Sequence, residues 1–194
     1  MAADTGQAAL FDVPAAPGET LRDAVISDDE TYRYVLTRRW DDGPLLIWVM
    51  LNPSIADARI DDPTIVRCVR RALRWKQRGI PYGGIRVLNL FALRATDPAA
   101  LRTHPGPCSA ATETLCGYPV GPDNDRWLTR LADDPDAGTV VAAWGIHGHL
   151  HGRDTAVRKL LAGVPLHCLG VTAGGQPKHP LLVAYDTPLI PWET

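Results

Sequence analysis

Apolar positions along the chain gather into short runs that stop abruptly at a polar residue or a glycine. Val49-Met-Leu-Asn-Pro-Ser54, Val87-Leu-Asn-Leu-Phe91 and Val140-Val-Ala-Ala-Trp-Gly145 all have this form, and Lys178-His-Pro-Leu181 puts a histidine-proline pair in a loop further on. Aromatic and β-branched residues alternate over residues 31–40, which predicts a strand. Residues 45–51 (LLIWVML) are almost uniformly apolar, as in a strand covered on both faces. Asp41-Asp-Gly-Pro44 is a turn signal between these two, so they are expected to pair as an antiparallel hairpin. Further strands are predicted over residues 85–91, 139–144 and 166–169. The pattern changes period over residues 63–78, where Ile65, Val69, Ala72 and Leu73 form an apolar stripe and Asp62-Pro63 supplies a cap and a first turn. Two more helices are expected over residues 124–132 and 154–161.

Strands alternating with helices predict an α/β fold of three layers, α/β/α, with a mainly parallel central sheet plus the N-terminal hairpin. Residues 1–20, rich in Ala, Gly and Pro, read as a flexible N-terminal arm. Residues 21–194 then form a single domain. In open sheets of this class, ligands bind beyond the carboxyl ends of the strands. Asn52, Asn89 and Gly145 sit at three such ends, which predicts one site built from distant parts of the chain.

Composition narrows the classes without choosing among them. The 194 residues are 45% hydrophobic and 22% charged, with a net charge of −2. Such a balance exerts no global pull on nucleic acid, so any polyanion site must be local. The sequence has neither a membrane-length apolar run nor a signal-peptide pattern, and the expected location is cytoplasmic. The cysteines Cys68, Cys108, Cys116 and Cys168 are irregularly spaced without a C-x-x-C pair, which favours free thiols. The helix over residues 63–78 is strongly basic. Arg67, Arg70 and Arg74, with Lys178 and Arg153 nearby, are candidates for phosphate contacts; a solvated basic face is the plainer alternative.

Several motifs together resemble an uncharacterised bacterial and phage family, the domain of unknown function 1643. They are Asn52-Pro-Ser54, Asp61-Asp-Pro-Thr64, Asn89-Leu-Phe91, Asn124-Asp125, Trp144-Gly145 and His179-Pro180. Their order also resembles, more distantly, the uracil-DNA glycosylase superfamily. That likeness implies a uracil-DNA-glycosylase-like fold in which Asn52-Pro53 positions water, Asn89 reads a base and the His179-Pro180 loop assists the leaving group. Two departures stand out: His-Pro-Leu-Leu lacks a serine after the proline, and the first motif carries Asn52, as in the mismatch-specific branch, where other branches have aspartate.

The chemistry fits those residue types. Glycosidic cleavage needs a held water, a proton acceptor and donors aimed at the departing base. An amide offers a donor and an acceptor to a base edge, as Asn89 would. Asn52 cannot take a proton, so a carboxylate is needed from Asp57, Asp61 or Asp62. Asp62 is expected to cap the helix, leaving Asp61 as the catalytic candidate. Pro53, Ser54, Phe91, Gly145 and His147 complete the expected substrate contacts, and Leu181 or Leu182 is a candidate wedge for flipping a base. The expected function is therefore N-glycosidic hydrolysis, or related chemistry, on a base in a nucleoside or nucleic acid, with no cofactor, no metal, no membrane and no protein partner. The alternatives are a non-catalytic nucleotide or nucleic-acid binding module, and a metal-dependent hydrolase using His147, His149 and His151.

Overall fold

A computed structural model describes residues 21–102 and 119–192. The predicted N-terminal arm lies outside those residues, as do Cys108 and Cys116. In chain order the elements are β1 (Leu21–Ile26), β2 (Arg33–Arg39), β3 (Leu45–Met50), α1 (Pro63–Gln77), β4 (Gly84–Asn89), α2 (Asn124–Thr129), β5 (Ala137–Ala142), α3 (Arg153–Leu160), β6 (Leu166–Cys168) and β7 (Ile190–Pro191). The strands form one sheet in the order β1-β2-β4-β3-β5-β6-β7.

Every residue of β3 is buried, as its uniform apolarity predicts. Its alternate side chains feed two cores. Leu46, Trp48 and Met50 pack with Ile65, Cys68 and Ala72 of α1. Leu45, Ile47 and Val49 face the opposite way, toward Leu128 of α2 and Val157 of α3. Helices therefore cover both faces, and the α/β expectation holds.

The sheet itself is mixed rather than mainly parallel. β4, β3, β5 and β6 run parallel. The β1–β2, β2–β4 and β6–β7 pairings are antiparallel. The hairpin expected between residues 31–40 and 45–51 does not form, because β4 is inserted between β2 and β3. The chain does reverse at residues 41–44, but the strands end two positions apart. Gly83 and Gly84 explain the insertion. Gly83 donates to the Pro44 carbonyl at 3.0 Å, and its own carbonyl accepts from Trp40 and Asp41. A Cβ on Gly83 would stand 2.4 Å from the Asp41 carbonyl, and one on Gly84 2.5 Å from that of Arg38. Only bare backbone fits beneath the turn. The N-terminal hairpin that does exist joins β1 to β2.

Helix α1 begins as predicted: the Asp62 carboxylate accepts from the Ile65 amide, with Pro63 in the first turn. The predicted helix over 124–132 is α2 followed by a 3-10 turn, Arg130–Asp133. β3 leads through α1 to β4 on one side, while β5 lies on its other side. This places the topological switch between β3 and β5, where a crevice opens at the carboxyl ends of the parallel strands.

Candidate functional site

A cleft of about 450 Å³ occupies that switch point. Asn52, just after β3, and Asn89, the last residue of β4, both line it. Trp144 and His147 enter from the segment after β5, and His179 from the loop before β7. Of the three strand ends expected to form one site, Gly145 lies between the lining residues Trp144 and Ile146, while Asn52 and Asn89 line this space. Ser54 also lines it. The remaining lining includes Arg33 of β2 and Asp62 at the head of α1.

The loop geometry that brings His179 here starts at Gly145. Its φ of 75° and ψ of −169° belong to a region open essentially to glycine alone. This turn lets the Gly145 amide donate to the Pro177 carbonyl at 2.9 Å, which draws residues 176–179 alongside the end of β5. Trp144 Nε1 donates to Gln176 Oε1, and Gln176 Nε2 donates to Asp154 Oδ2, both at 2.7 Å. Trp144 is therefore both a core residue and part of the wall.

Each polar side chain is held by one end. Asn52 Nδ2 donates to the carbonyls of Ala95 at 2.7 Å and Pro53 at 3.0 Å, leaving Oδ1 as the end without a partner among the described residues. Asn89 is 1% exposed. Its Oδ1 accepts from Arg33 Nη2 at 3.3 Å, and its backbone carbonyl accepts from Asn124 Nδ2 at 3.0 Å. Asp62 gives one carboxylate oxygen to its cap, at 2.9 Å from Ile65 N. His179 Nδ1 accepts from the Leu181 amide at 3.4 Å, a contact that assigns the ring proton to Nε2.

Charge in the cleft is mixed. Burial is the main cause pulling Arg33 down to about 10, with Asp62 pulling it back, so the guanidinium stays charged at neutral pH. Burial likewise lowers His179, with Asp62 again opposing, and its imidazole is neutral at pH 7. Arg33 Nη1 donates to the Ala56 carbonyl at 2.9 Å, while its buried Nε has no partner among the described residues.

Other expected site residues stand elsewhere. Asp61 accepts from Arg38 Nε at 2.9 Å and pairs with Arg22 at 3.0 Å, outside the cleft lining. Asp57 caps the Arg59 and Ile60 amides, and those two bonds hold its carboxyl below the usual range. Phe91 is fully buried and meets His151 edge-on. Pro53 is buried beside Asn52. Gly145 shapes the loop without lining the cleft.

The basic helix face grips the chain itself. Arg67 stacks on the Tyr185 ring at 3.6 Å and donates to the Val183 carbonyl. Arg74 lies 4.4 Å from the same ring and 3.8 Å from Asp186. Fully buried Arg71 donates to the carbonyls of Ala184, Tyr185 and Thr187 at 2.7–3.1 Å. Arg153 bonds the Leu90 carbonyl at 2.6 Å and pairs with Asp125, so its guanidinium is engaged within the chain. Arg70 and Lys178 are not among the lining residues.

The three closely spaced histidines diverge. His147 lines the cleft, His149 Nδ1 meets the Ile146 carbonyl, and His151 Nε2 meets that of Leu101, each at 2.7 Å. Among the described residues no group of three or more His, Cys, Asp or Glu is arranged to hold a metal ion. Cys68 and Cys168 are buried free thiols. No helix among those residues is long and apolar enough to cross a membrane.

Sequence reasoning missed Arg33 and, of the three carboxylate candidates, preferred Asp61 as base and Asp62 as cap. Arg33 is one of three arginines in β2, a residue type that a strand usually turns to water. Asp62 caps α1 with one carboxylate oxygen and also lines the cleft. Comparison with known proteins finds no match among curated proteins or solved structures. A family described as a protein of unknown function (DUF1643) matches residues 33–181, from the arginine beneath the cleft to the leucine at its rim. By that match the chain belongs to the DUF1643 family.

Proposed function

We propose that the cleft binds a nucleobase, as a nucleoside or within a nucleic acid, and hydrolyses its N-glycosidic bond. The observation that carries this reading is the meeting of Asn52, Asn89, His179, Asp62 and Arg33 around one space of about 450 Å³. That volume suits a small heterocyclic ligand. The distant likeness of the motif order to the uracil-DNA glycosylase superfamily supports the same reading.

Asn52 Oδ1 accepts a hydrogen bond from the attacking water. The uncommitted oxygen of Asp62 takes the proton as the water oxygen bonds to the anomeric carbon. The carbon–nitrogen bond breaks with its electron pair passing to the base. Asn89 Nδ2, His179 Nε2–H and the Arg33 charge stabilise that developing negative charge. These donors gain strength as the charge grows, which is the differential binding that catalysis needs. Asp62 thus supplies the carboxylate that Asn52 lacks, and Asp61 is not required.

Purified protein incubated with oligonucleotides and free nucleosides carrying uracil, hypoxanthine, cytosine, adenine and modified bases tests the reading. Release of a free base, abolished by Asn89→Ala, is expected. A full panel left unchanged, or turnover indifferent to Asn89→Ala, rejects it.

A further inference from the structure

Arg33 bears on what Asn89 is able to read. An asparagine amide can turn over by 180°, presenting either its oxygen or its nitrogen to a ligand. Arg33 removes that choice. A guanidinium has donors only, so the amide atom beside it must be the oxygen. Arg33 Nη2 lies 3.3 Å from Asn89 Oδ1, and the guanidinium is itself anchored on the Ala56 carbonyl at 2.9 Å. Arg33 is 2% exposed and Asn89 is 1% exposed, so water does not compete for this contact. Asn124 fixes the strand end by donating to the carbonyls of Asn89 and Leu90, both at 3.0 Å. What remains toward the cleft is the Nδ2 amine, which has no partner among the described residues. His179 adds a second donor, since its Nδ1 is occupied by the Leu181 amide.

We propose that Arg33 makes Asn89 a donor-only reader, so that the cleft selects bases with a ring-nitrogen acceptor on the edge they present. This inference rests on the base-pocket reading above and narrows its substrate class to the amidine-edged bases, cytosine or adenine and their derivatives. An imide or lactam edge, as in uracil or hypoxanthine, carries a ring N–H beside its carbonyl. Two-point reading of that pair needs one donor and one acceptor from the same amide. Asn89 Oδ1 is turned to Arg33 and Nδ2 to the base, so the ring N–H would be buried against Nδ2 without a partner, at the cost of its lost hydration. A ring nitrogen with a lone pair instead accepts directly from Nδ2. The same acceptor gains charge as the glycosidic bond breaks, which ties selection to rate. Arg33 sets specificity through Asn89, in addition to the charge it places beside the departing base.

Calorimetric binding of cytidine, 3-deazacytidine and uridine, with adenosine, 1-deazaadenosine and inosine as the purine set, tests this on the unaltered protein. The deaza compounds keep the shape and the exocyclic amine but replace the ring acceptor with C–H. Cytidine or adenosine should bind roughly ten- to a hundredfold tighter than its deaza and N–H-bearing counterparts. Arg33→Met frees the amide to turn over and should bring that preference within about threefold, a remaining discrimination of less than about 1 kcal/mol. Equal affinity for cytidine and 3-deazacytidine, or a preference for uridine or inosine, overturns the inference while leaving the base pocket standing. Retention of the full preference in folded Arg33→Met also overturns it. Failure of every nucleoside to bind overturns both readings together. The wild-type comparison decides the matter even if the variant does not fold.

Discussion

Asn52 Nδ2 donates to the Ala95 carbonyl at 2.7 Å, so the amide that looks like a weak substitute for a catalytic carboxylate is also a structural tie. Through it, the segment after β3 is joined to the segment after β4 at the mouth of the cleft. Replacing Asn52 with aspartate would add a proton acceptor but set a carboxylate against two carbonyl oxygens. Asn52→Asp is therefore expected to lose roughly 1–3 kcal/mol of stability and to gain no activity. Urea denaturation and turnover of the same preparation check this; a stable, faster variant would contradict it.

Asp62 and Asp61, adjacent in sequence, should separate cleanly by mutation. Asparagine caps helices about as well as aspartate, so Asp62→Asn should stay within about 0.5 kcal/mol of the parent. It should lose roughly a hundredfold or more in turnover if Asp62 is the general base. Asp61→Asn should do the reverse. It weakens the contact with Arg38, whose side chain is 1% exposed, and should cost roughly 1–3 kcal/mol while leaving turnover near normal. Exchange of these two outcomes would return the catalytic role to Asp61.

His179 gives the site a pH dependence of known sign. Burial lowers its folded-state pKa beneath the ordinary histidine value. Between the two values the unfolded chain binds the extra proton, so stability is full above about pH 6.5 and falls as pH drops through that window. Ligand binding should fall too, since protonation at Nδ1 displaces the Leu181 amide. His179→Gln should lose less stability than the parent between pH 7 and 5, in paired thermal melts. Parallel profiles would mean that His179 is not buried as a neutral group.

Arg71 is the anchor of the strap that follows the His179 loop. Arg71→Met should release Val183–Thr187, accelerating amide exchange there, and should weaken nucleoside binding through a loosened His179. The stability loss is expected at roughly 1–3 kcal/mol, because the freed carbonyls lie near the surface and rehydrate. Unchanged exchange in this segment would show that the strap is held by other contacts.

Much of this arrangement was legible in the sequence, for identifiable reasons. Strand ends carry their own mark: apolar residues stop at Asn52, Asn89 and Gly145, and the sheet aligns those stops. The capping role of Asp62 was equally plain from Asp-Pro before an apolar stripe. Pairing partners were not legible, because the alternation in residues 31–40 says that a strand forms and not that β4 will lie beside it. β1 (LRDAVI) begins with exposed residues and carries little apolar signal. Arg33 was hidden because a charge in an alternating strand usually faces water. Here the loop after Asn52 folds back and offers the Ala56 carbonyl. The arginine-rich face of α1 is a further case. The same residues would serve a phosphate or a tyrosine, and Tyr185 lies more than a hundred positions away.

The most direct test of the base pocket is the side-chain amide signal of Asn89 in ¹⁵N–¹H spectra, followed while cytidine or adenosine is added. A saturable shift of the Asn89 Nδ2 resonances is expected, while those of Asn52, already bound to carbonyls, move little. Shifts confined to residues far from the cleft, or a binding nucleoside that leaves Asn89 untouched, would contradict it.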